Sequence, residues 1–477
     1  MMSAVVQRLT FALIALCAYG AVAGEPAISV SPDPRMMLEE PSIQVSGAVP
    51  GGKVIVEASL ADDGQQVWTS RGVFYADSEG RVDPGTLASV DGTYTGVDAF
   101  GLFWSMLPVP ASELAASRYV DPAATAWPGA PVLGRSTVVS LTARLETRAD
   151  SIDTVEVSVA HRVLFAAEDV VREEVAHEQL RGVMFSSPED GPYPPVLVVS
   201  GSGGGAPESA ARAIASEGFT ALAIAHFNYP DRPKELVDIP LEYFGDAIAF
   251  LKAETGHEKV GLMGASRGGE AVLLIAATYP DEVSAVVSGV PANIVNSACC
   301  SPAMTYLHAW TYQGRPLPTF GLMEGTGFEE LLGVSQKYGD GLVWFQRHML
   351  MGMLTQDDTA PYLIPVENIQ SPILLISGDD DGIWPSTPAA DQVVKRLRAR
   401  NYAYPVEHIK VTGGGHLASS AERMFVTSLI GSALVRHPLD TSVAFRMGGT
   451  PAENFHGARK AHVRKIEFLK TGGNDQP

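Results

Sequence analysis

The residues best suited to chemistry in this chain surround a serine that follows an apolar, strand-like run. Residues 260–270 read V-G-L-M-G-A-S-R-G-G-E, so Ser266 has Gly264 two residues before it and Gly268 two residues after it. On a sharp turn from a strand into a helix, a side chain at either glycine position would clash with the crossing backbone. A G-x-S-x-G pentapeptide alone is a weak signal. Its place between a strand and a helix predicts that Ser266 is a nucleophile.

A serine hydroxyl needs a base that takes its proton, and a third group must hold that base. His416 is the predicted base, because it follows the glycine run 413–415 directly after the strand-like residues 405–411. His408 lies within that strand and is interpreted as structural. By default a histidine is a surface or core residue, and the position of His416 reverses that expectation.

The predicted acid is one of three consecutive aspartates, Asp379, Asp380 and Asp381, which follow the apolar residues 371–377. Neighbouring side chains along a strand point to opposite sides, so at most one of the three is expected to face the histidine. The spacing Gly-x-x-Asp-x-x-x-Pro, common after this strand in hydrolases with such an elbow, selects Asp381. The other two are interpreted as solvated loop carboxylates.

The charge of a tetrahedral intermediate needs preorganised N–H donors. One predicted donor is the backbone N–H of Arg267, the residue after the nucleophile. The other is expected from the glycine-rich residues 201–205, where the sequence leaves Ser202 and Gly203 as alternatives. Such a loop could instead bind phosphate. It lacks the Lys-Ser/Thr ending of a P-loop and the G-x-G-x-x-G spacing, so an oxyanion loop is the better interpretation.

The first residues have the pattern of an export signal. Arg8 precedes the apolar residues 9–23, and A-V-A at 21–23 matches a small-x-small cleavage site. The run is short for a membrane span. Residues 1–23 are therefore predicted to be a signal peptide, and the mature protein is expected to be periplasmic or secreted without stable membrane insertion.

The rest of the composition limits the partners. A net charge of −20 argues against nucleic acid and anionic membranes. Beyond the predicted signal only Cys299 and Cys300 remain, and whether this adjacent pair forms a disulfide stays open. With no histidine closer than His308, no metal site is indicated, and no cofactor is expected.

The hydrophobic pattern predicts two domains. Residues 27–165 alternate polar and apolar residues between turn signals, which favours an immunoglobulin-like β-sandwich. In residues 166–477, apolar strands alternate with helical stretches, which predicts an α/β domain with a mostly parallel, doubly wound sheet. Residues 292–365 interrupt this rhythm and are rich in Met and aromatic residues. They are interpreted either as extra core or as a cap that supplies an apolar acyl pocket.

Several motifs resemble the acyl-CoA thioesterase / bile acid-CoA:amino acid N-acyltransferase family of α/β-hydrolases. They cover both halves of the chain: V-P-G at 49–51, the glycine- and aromatic-rich residues 92–106, E-G-F at 217–219, F-N-Y-P-D-R-P-K at 227–234, L-E-Y-F at 241–244, G-A-S-R-G-G-E at 264–270, and G-G-T at 448–450. The resemblance implies an α/β-hydrolase domain behind a β-sandwich. It also implies a serine or cysteine nucleophile that accepts an acyl group from coenzyme A.

The resemblance therefore favours a serine hydrolase that cleaves acyl thioesters, with Ser266, Asp381 and His416 as its triad and an acyl-enzyme as its intermediate. Family members with cysteine at the elbow tend to be the N-acyltransferases. A serine ester is readily resolved by activated water, so Ser266 favours hydrolysis over transfer to an amine. A carboxylesterase remains an alternative that the export signal favours, because coenzyme A is intracellular. A binding or docking scaffold is the non-enzymatic alternative.

Overall fold

A computed structural model describes residues 24–109, 134–147, 154–187, 193–298, 307–320, 342–343, 360–421, 434–436 and 444–472. The predicted signal peptide, Cys299, Cys300 and most of the predicted insertion 292–365 lie outside these ranges. Within them, no helix is long and apolar enough to cross a bilayer.

The described residues of the N-terminal part form strands and one short helix, in agreement with the alternating pattern. The elements are β1 (Ala27–Ser31), β2 (Arg35–Met36), β3 (Ser42–Ser46), β4 (Lys53–Ala61), β5 (Val67–Tyr75), β6 (Asp91–Gly92), α1 (Gly101–Trp104), β7 (Leu107–Val109), β8 (Ser136–Glu146) and β9 (Thr154–Leu164). A seven-stranded sheet, called here the N-terminal sheet, has the order β2-β9-β8-β4-β5-β6, and β7 also pairs with β5. Only the β2–β9 pair is parallel, and β1 and β3 form a separate antiparallel pair.

One face of the N-terminal sheet is buried. Alternate residues of β4, from Val54 to Leu60, and of β8, from Val139 to Leu145, share a core with Ile43 and Val45 of β3. This is the period-2 burial that the alternation predicts. The immunoglobulin-like assignment of this part stays a prediction.

The second half contains the predicted α/β sheet. Its strands are β10 (Val171–Val175), β11 (Gly182–Ser186), β12 (Pro195–Val199), β13 (Thr220–Ile224), β15 (Val260–Ala265), β16 (Val283–Gly289), β20 (Ile373–Gly378) and β21 (Val406–Val411). The smaller strands are β14 (Ile239–Pro240), β17 (Trp310–Tyr312), β18 (Arg315–Pro316), β19 (Leu342–Val343), β22 (Leu434–Arg436) and β23 (Ala444–Arg446). They form two three-stranded sheets, with the orders β14-β17-β18 and β19-β23-β22.

The eight-stranded sheet, called here the C-terminal sheet, has the order β10-β11-β13-β12-β15-β16-β20-β21. Strand β11 is antiparallel to both of its neighbours, whereas the strands from β13 onward pair in parallel. Strands β12, β13 and β20 are buried along their whole length, as expected for a sheet covered on both faces. This topology is the α/β-hydrolase sheet, so the predicted fold of this half is confirmed.

Helices cover both faces of the C-terminal sheet. They are α2 (Glu208–Ala215), α3 (Glu242–Thr255), α4 (Arg267–Thr278), α5 (Ser386–Ala399) and α6 (Pro451–Thr471), with short 3₁₀ turns at Pro280–Glu282, Ala360–Tyr362 and Val366–Asn368. Helices α3, α4 and α5 pack on one face, and α2 and the second half of α6 pack on the other. The first half of α6 differs, because Phe455 and Ala458 belong to the core of the N-terminal sheet.

Candidate active site

Ser266 occupies the predicted turn between strand and helix. Strand β15 ends at Ala265 and helix α4 begins at Arg267, so Ser266 is the single residue between them. Its backbone has φ 59° and ψ −124°, a conformation that residues other than glycine rarely adopt. The backbone N–H of Ser266 donates to the carbonyl oxygen of Gly289 at 3.0 Å. The strained backbone and this hydrogen bond fix where the hydroxyl projects.

The two flanking glycines are required for the reason that the sequence suggested. A Cβ at Gly264 would lie 2.4 Å from the carbonyl oxygen of Gly268. A Cβ at Gly268 would lie 2.4 Å from the carbonyl oxygen of Val199 in the neighbouring strand β12. Both distances are far below van der Waals contact. The close crossing of β12, β15 and α4 therefore depends on glycine at both positions.

The structure brings Ser266, His416 and Asp381 into one hydrogen-bonded chain. The Oγ of Ser266 lies 2.8 Å from Nε2 of His416. The Nδ1 of His416 lies 2.9 Å and 3.0 Å from the two carboxylate oxygens of Asp381. With Nδ1–H donating to the carboxylate, Nε2 is left to accept the serine proton. This is the arrangement that activates a serine nucleophile.

The three consecutive aspartates have different partners. Asp381 is fully buried, and its Oδ1 also accepts from the backbone N–H groups of Ile383 and Trp384, at 2.9 Å and 3.2 Å. Asp379 and Asp380 are exposed and point to other partners. Their partners are backbone N–H groups of the loops around the site: Gly413 at 2.6 Å for Asp379 and Gly449 at 2.9 Å for Asp380. Only Asp381 faces the histidine.

Trp384 shields the histidine on one side. Its ring lies edge-on to the ring of His416, with the centroids 5.5 Å apart and an interplanar angle of 76°. Its Nε1–H donates to the carbonyl oxygen of Val290 at 2.9 Å. A tryptophan anchored in this way restricts the imidazole to a narrow range of orientations.

The predicted oxyanion loop approaches the nucleophile. A Cβ at Gly201 would lie 3.4 Å from Cβ of Ser266. Ser202 and Gly203 are exposed at the same loop, and the choice between them as donors stays a prediction. Arg267 is the first residue of α4, so its N–H has no acceptor one turn earlier in the helix. The glycine loop and the first residue of α4 therefore both lie next to Ser266.

Asn228 supports this loop, and the sequence argument did not single it out. Its Nδ2 donates to the carbonyl oxygen of Gly203 at 2.9 Å, and the N–H of Gly205 donates to the carbonyl oxygen of Phe227 at 2.9 Å. Asn228 has φ 50°, a conformation that asparagine tolerates better than most residues. Residues 227–234 read F-N-Y-P-D-R-P-K, and nothing in that run marks Asn228 for this contact.

Below the elbow, the side chain of Arg267 belongs to a buried polar network. Its Nη1 donates to Glu270 at 2.7 Å, and Glu270 also accepts from Nδ2 of Asn296 at 2.7 Å and Nε1 of Trp310 at 2.8 Å. Burial lowers the pKa of Arg267 and raises the pKa of Glu270, whereas the attraction between the two opposes both shifts. The network ties the first turn of α4 to the segments around 296 and 310.

A second Ser-His-Asp chain occurs away from the elbow. His408 Nε2 lies 2.7 Å from Oγ of Ser377, and its Nδ1 lies 3.1 Å from Asp391. Burial lowers the pKa of His408, and the nearby Asp391 opposes the shift. Ser377 lies within strand β20 and is fully buried, so an acyl carbonyl cannot reach it. A hydrogen-bonded Ser-His-Asp chain is therefore not enough to make its serine a nucleophile, because the serine must also be accessible to the substrate.

Within the described ranges, no three His, Cys, Asp or Glu side chains are grouped so that they could hold a metal ion.

The fold and the site together define the class of the protein. It has a serine on an elbow, a histidine held by a buried carboxylate and a glycine loop beside them, all at one end of the C-terminal sheet. These features place the protein in the α/β-hydrolase class.

The comparisons with known proteins agree at the level of family. Residues 39–177 match the acyl-CoA thioester hydrolase/BAAT N-terminal region, and residues 239–420 match the BAAT / acyl-CoA thioester hydrolase C-terminal region. The human mitochondrial acyl-coenzyme A thioesterase 2 is 30% identical over 383 residues, which cover 79% of this chain and 71% of the relative. The chain thus belongs to the acyl-CoA thioesterase/BAAT family, as its motifs suggested.

Other relatives cover similar or larger shares. Acyl-coenzyme A thioesterase 1 of Rattus norvegicus is 28% identical over 80% of this chain and 83% of its own length. Acyl-coenzyme A amino acid N-acyltransferase 2 of Rattus norvegicus is 29% identical over 92% of this chain and 97% of its own length. Among solved structures, an esterase/lipase from an uncultured bacterium aligns with a TM-score of 0.36 and 14% identity, over 65% of this chain and 87% of that chain.

Proposed function

We propose that the protein hydrolyses acyl-CoA thioesters through an acyl-enzyme formed on Ser266. The observation that carries the proposal is the hydrogen-bonded chain from Ser266 through His416 to the buried Asp381, built on an elbow whose serine has a positive φ. Membership of the family supports coenzyme A as the carrier of the acyl group, since two of the relatives are named acyl-coenzyme A thioesterases.

The first half of the reaction forms the acyl-enzyme. His416 Nε2 takes the proton of Ser266 as Oγ attacks the thioester carbon, and the carbonyl oxygen becomes an oxyanion. The N–H of Arg267 and a donor in residues 201–205 stabilise that charge, and each such donor is worth about 3–4 kcal/mol. The C–S bond then breaks, and the proton on His416 passes to the thiolate. Asp381 holds the imidazole throughout and stabilises its cationic form.

The second half repeats these steps with water. His416 takes a proton from water as the oxygen attacks the acyl ester, and the intermediate collapses with return of the proton to Oγ of Ser266. An amine could replace water, and the N-acyltransferase among the relatives supports this alternative. Serine rather than cysteine at the elbow favours water, because an oxygen ester reacts less readily with amines than a thioester does.

The test is a matched pair of substrates with the same acyl chain, one a coenzyme A thioester and one a simple oxygen ester. We expect a higher kcat/KM for the thioester and its loss in Ser266→Ala. Ser377→Ala is the matched control, since Ser377 also donates to or accepts from a histidine but is fully buried. A higher kcat/KM for the ester would reject the thioester as the substrate class. Adding glycine or taurine and measuring amide product would identify amine transfer.

An exported carboxylesterase is the second candidate, favoured by the signal-like pattern of residues 1–23. Cell fractionation of the host, with N-terminal sequencing of the mature protein, tests the proposed export and cleavage after Ala23. We also propose two domains for the protein: an immunoglobulin-like sandwich over residues 27–165 and an α/β-hydrolase domain over residues 166–477. A scaffold role is tested by expressing the Ser266→Ala variant in cells from which the protein has been deleted. If the variant restores the wild-type phenotype in full, a scaffold role replaces the enzymatic one.

A further inference from the structure

Two sequence motifs that the proposed reaction does not use meet at helix α6. One is G-G-T at 448–450, directly before the helix, and the other is the stretch 92–106 in the N-terminal part. They are more than 300 residues apart in the chain. Their contacts connect the N-terminal sheet with the loops that carry Asp381 and His416.

Residues 447–450, called here the bracing segment, lie between residues 379–385, called here the aspartate loop, and residues 412–416, called here the histidine loop. The carbonyl oxygen of Met447 accepts from both loops, from the N–H of Gly382 at 3.2 Å and from the N–H of His416 at 2.7 Å. Gly448 pairs with Asp381 and Gly449 pairs with Gly414 in isolated bridges. One short segment therefore sets the spacing between the acid and the base.

The fit of this segment depends on glycine. Gly448 has φ 80°, and a Cβ there would lie 1.8 Å from the carbonyl oxygen of Asp380. Gly449 has φ 72°, and a Cβ there would lie 2.3 Å from the backbone nitrogen of Gly415. Any other residue would be strained and would push the two loops apart. The close backbone contacts thus explain why the motif has glycine at both 448 and 449.

Asn454, in the first turn of α6, fastens the histidine loop to the bracing segment. Its Oδ1 accepts from the N–H of Gly415 at 2.7 Å, and its Nδ2 donates to the carbonyl oxygen of Gly448 at 3.2 Å. The side chain is fully buried. Gly415 is the residue before His416, so this contact acts on the base through the backbone.

The next residues of the same helix contact the N-terminal part. The ring of Phe455 lies 5.1 Å from the ring of Phe100, centroid to centroid, and Nε2 of His456 lies 2.7 Å from Oδ2 of Asp98. Burial raises the pKa of Asp98, but hydrogen bonds from His456 and Trp104 outweigh it and bring the pKa below its usual value.

Arg459 adds a further contact one turn later. Its Nε donates to the carbonyl oxygen of Leu38 at 2.8 Å, and its guanidinium lies 4.6 Å from the centre of the Phe100 ring. The same stretch of α6, about one and a half turns, thus makes both sets of contacts. Asn454 contacts the histidine loop, and Phe455, His456 and Arg459 contact the N-terminal part.

We propose that docking of α6 on the N-terminal sheet positions the base of the reaction, with Asn454 and the bracing segment as the connection to His416. This inference rests on the proposed function of Ser266 and His416. Asn454 is a positioning residue, since it contacts the loop of the base and not the reacting atoms. The N-terminal part then contributes to turnover without contributing a group to the chemistry.

The test compares four variants in the full chain. Asn454→Leu removes both hydrogen bonds at similar volume, whereas Asn454→Asp keeps an acceptor for the N–H of Gly415. The double variant His456→Ala/Arg459→Ala weakens docking from the helix side and leaves the core of the N-terminal sheet unchanged. Lys460→Ala is the matched control, because Lys460 is exposed on the same helix.

The main readout is the rate at which a fluorophosphonate labels Ser266, measured by mass spectrometry, because labelling needs the base but no particular substrate. We expect Asn454→Leu to lower this rate and kcat by about 10- to 100-fold, since small misplacements of reacting groups have effects of this size. KM should stay within about threefold. Asn454→Asp should recover part of the rate, the double variant should lose about 3- to 10-fold, and Lys460→Ala should match the wild type.

A melting temperature for each variant separates positioning from folding. If folded Asn454→Leu and the double variant label Ser266 at the wild-type rate, the proposal is wrong, even where the melting temperature falls. If Asn454→Leu does not fold, the double variant alone decides in the same way. Should the wild type label well but fail to hydrolyse acyl-CoA, the proposed substrate is wrong, and the labelling rates still decide the role of α6.

Discussion

Replacing Asp381 with asparagine should abolish most turnover, and the structure gives a specific reason. Oδ1 of Asp381 accepts from two backbone N–H groups, those of Ile383 and Trp384, in addition to Nδ1 of His416. In Asp381→Asn these two donors would hold the amide oxygen at the Oδ1 position. The amide NH₂ would then occupy the Oδ2 position, which lies 3.0 Å from Nδ1 of His416.

A proton on Nδ1 would then face the NH₂ group at 3.0 Å, donor against donor, whereas a bare Nδ1 can accept from it. The substitution should therefore favour the tautomer with its proton on Nε2. Nε2 could then no longer accept the proton of Ser266. The wrong tautomer lowers kcat about 10⁴-fold in a protease with the same arrangement, which corresponds to about 5.4 kcal/mol at about 1.36 kcal/mol per tenfold. KM should change little, because Asp381 is buried behind the imidazole.

The assay is thiol release from an acyl-CoA substrate, with Asp379→Asn and Asp380→Asn as controls. Each of these exposed carboxylates accepts one backbone N–H, which an amide oxygen can also accept, so both variants should keep near wild-type kcat. The reasoning is refuted if Asp381→Asn retains kcat within tenfold of the wild type, or if a control variant shows the larger loss.

Three further predictions concern the elbow, the second Ser-His-Asp chain and a buried histidine. Gly268→Ala should lower the free energy of unfolding by about 1–3 kcal/mol in urea, because the added Cβ would lie 2.4 Å from a backbone oxygen; an unchanged midpoint would contradict that close approach. Ser377→Ala should cost about 1 kcal/mol of stability through its lost hydrogen bonds and leave kcat unchanged, and a large loss of kcat would give Ser377 a role in the reaction. Burial, aided by Arg232 and Arg267, lowers the pKa of His226 from 6.5 to about 3, so between these values the unfolded chain binds more protons than the folded one. Stability should therefore fall by about 1.4 kcal/mol per pH unit as the pH drops from 6.5 toward 3. His226→Phe should lose this contribution, so the wild type should lose more stability than the variant between pH 7 and pH 5 in urea titrations; parallel losses would show that His226 does not titrate in this way.

The sequence predicted the local parts of the site well, because local rules determine them. A turn that brings a strand and a helix into backbone contact requires glycine, so Gly264 and Gly268 could be interpreted without a structure. The strands before Asp381 and His416 lie within two residues of the predicted runs 371–377 and 405–411, since buried parallel strands are near-continuous apolar runs. The choice of Asp381 rested on spacing, and the structure places that carboxylate, and not its neighbours, on the histidine.

What the sequence did not reveal depends on contacts between distant segments. Strand β10 carries few of the expected signals, because it is an edge strand with four consecutive exposed residues. Asn228 and Asn454 are polar residues in ordinary surroundings, and only the folded chain shows that each holds a glycine loop of the site. Burial of Phe455 in the core of the N-terminal sheet likewise requires the whole fold. No local period encodes which sheet a helix will contact.

The buried ion pair of Arg267 and Glu270, below Ser266, is better explained by its role in positioning helix α4 than by a contribution to the stability of the fold. Removing Arg267 and Glu270 from water costs several kcal/mol for each charge, and their attraction often fails to recover it. Glu270 nevertheless accepts from Asn296 and Trp310 as well as from Arg267, so its place is fixed from three directions. Its own N–H donates to the carbonyl oxygen of Ser266 at 3.0 Å. A carboxylate held in this way keeps the first turn of α4 in place, and with it the strained backbone that presents the serine.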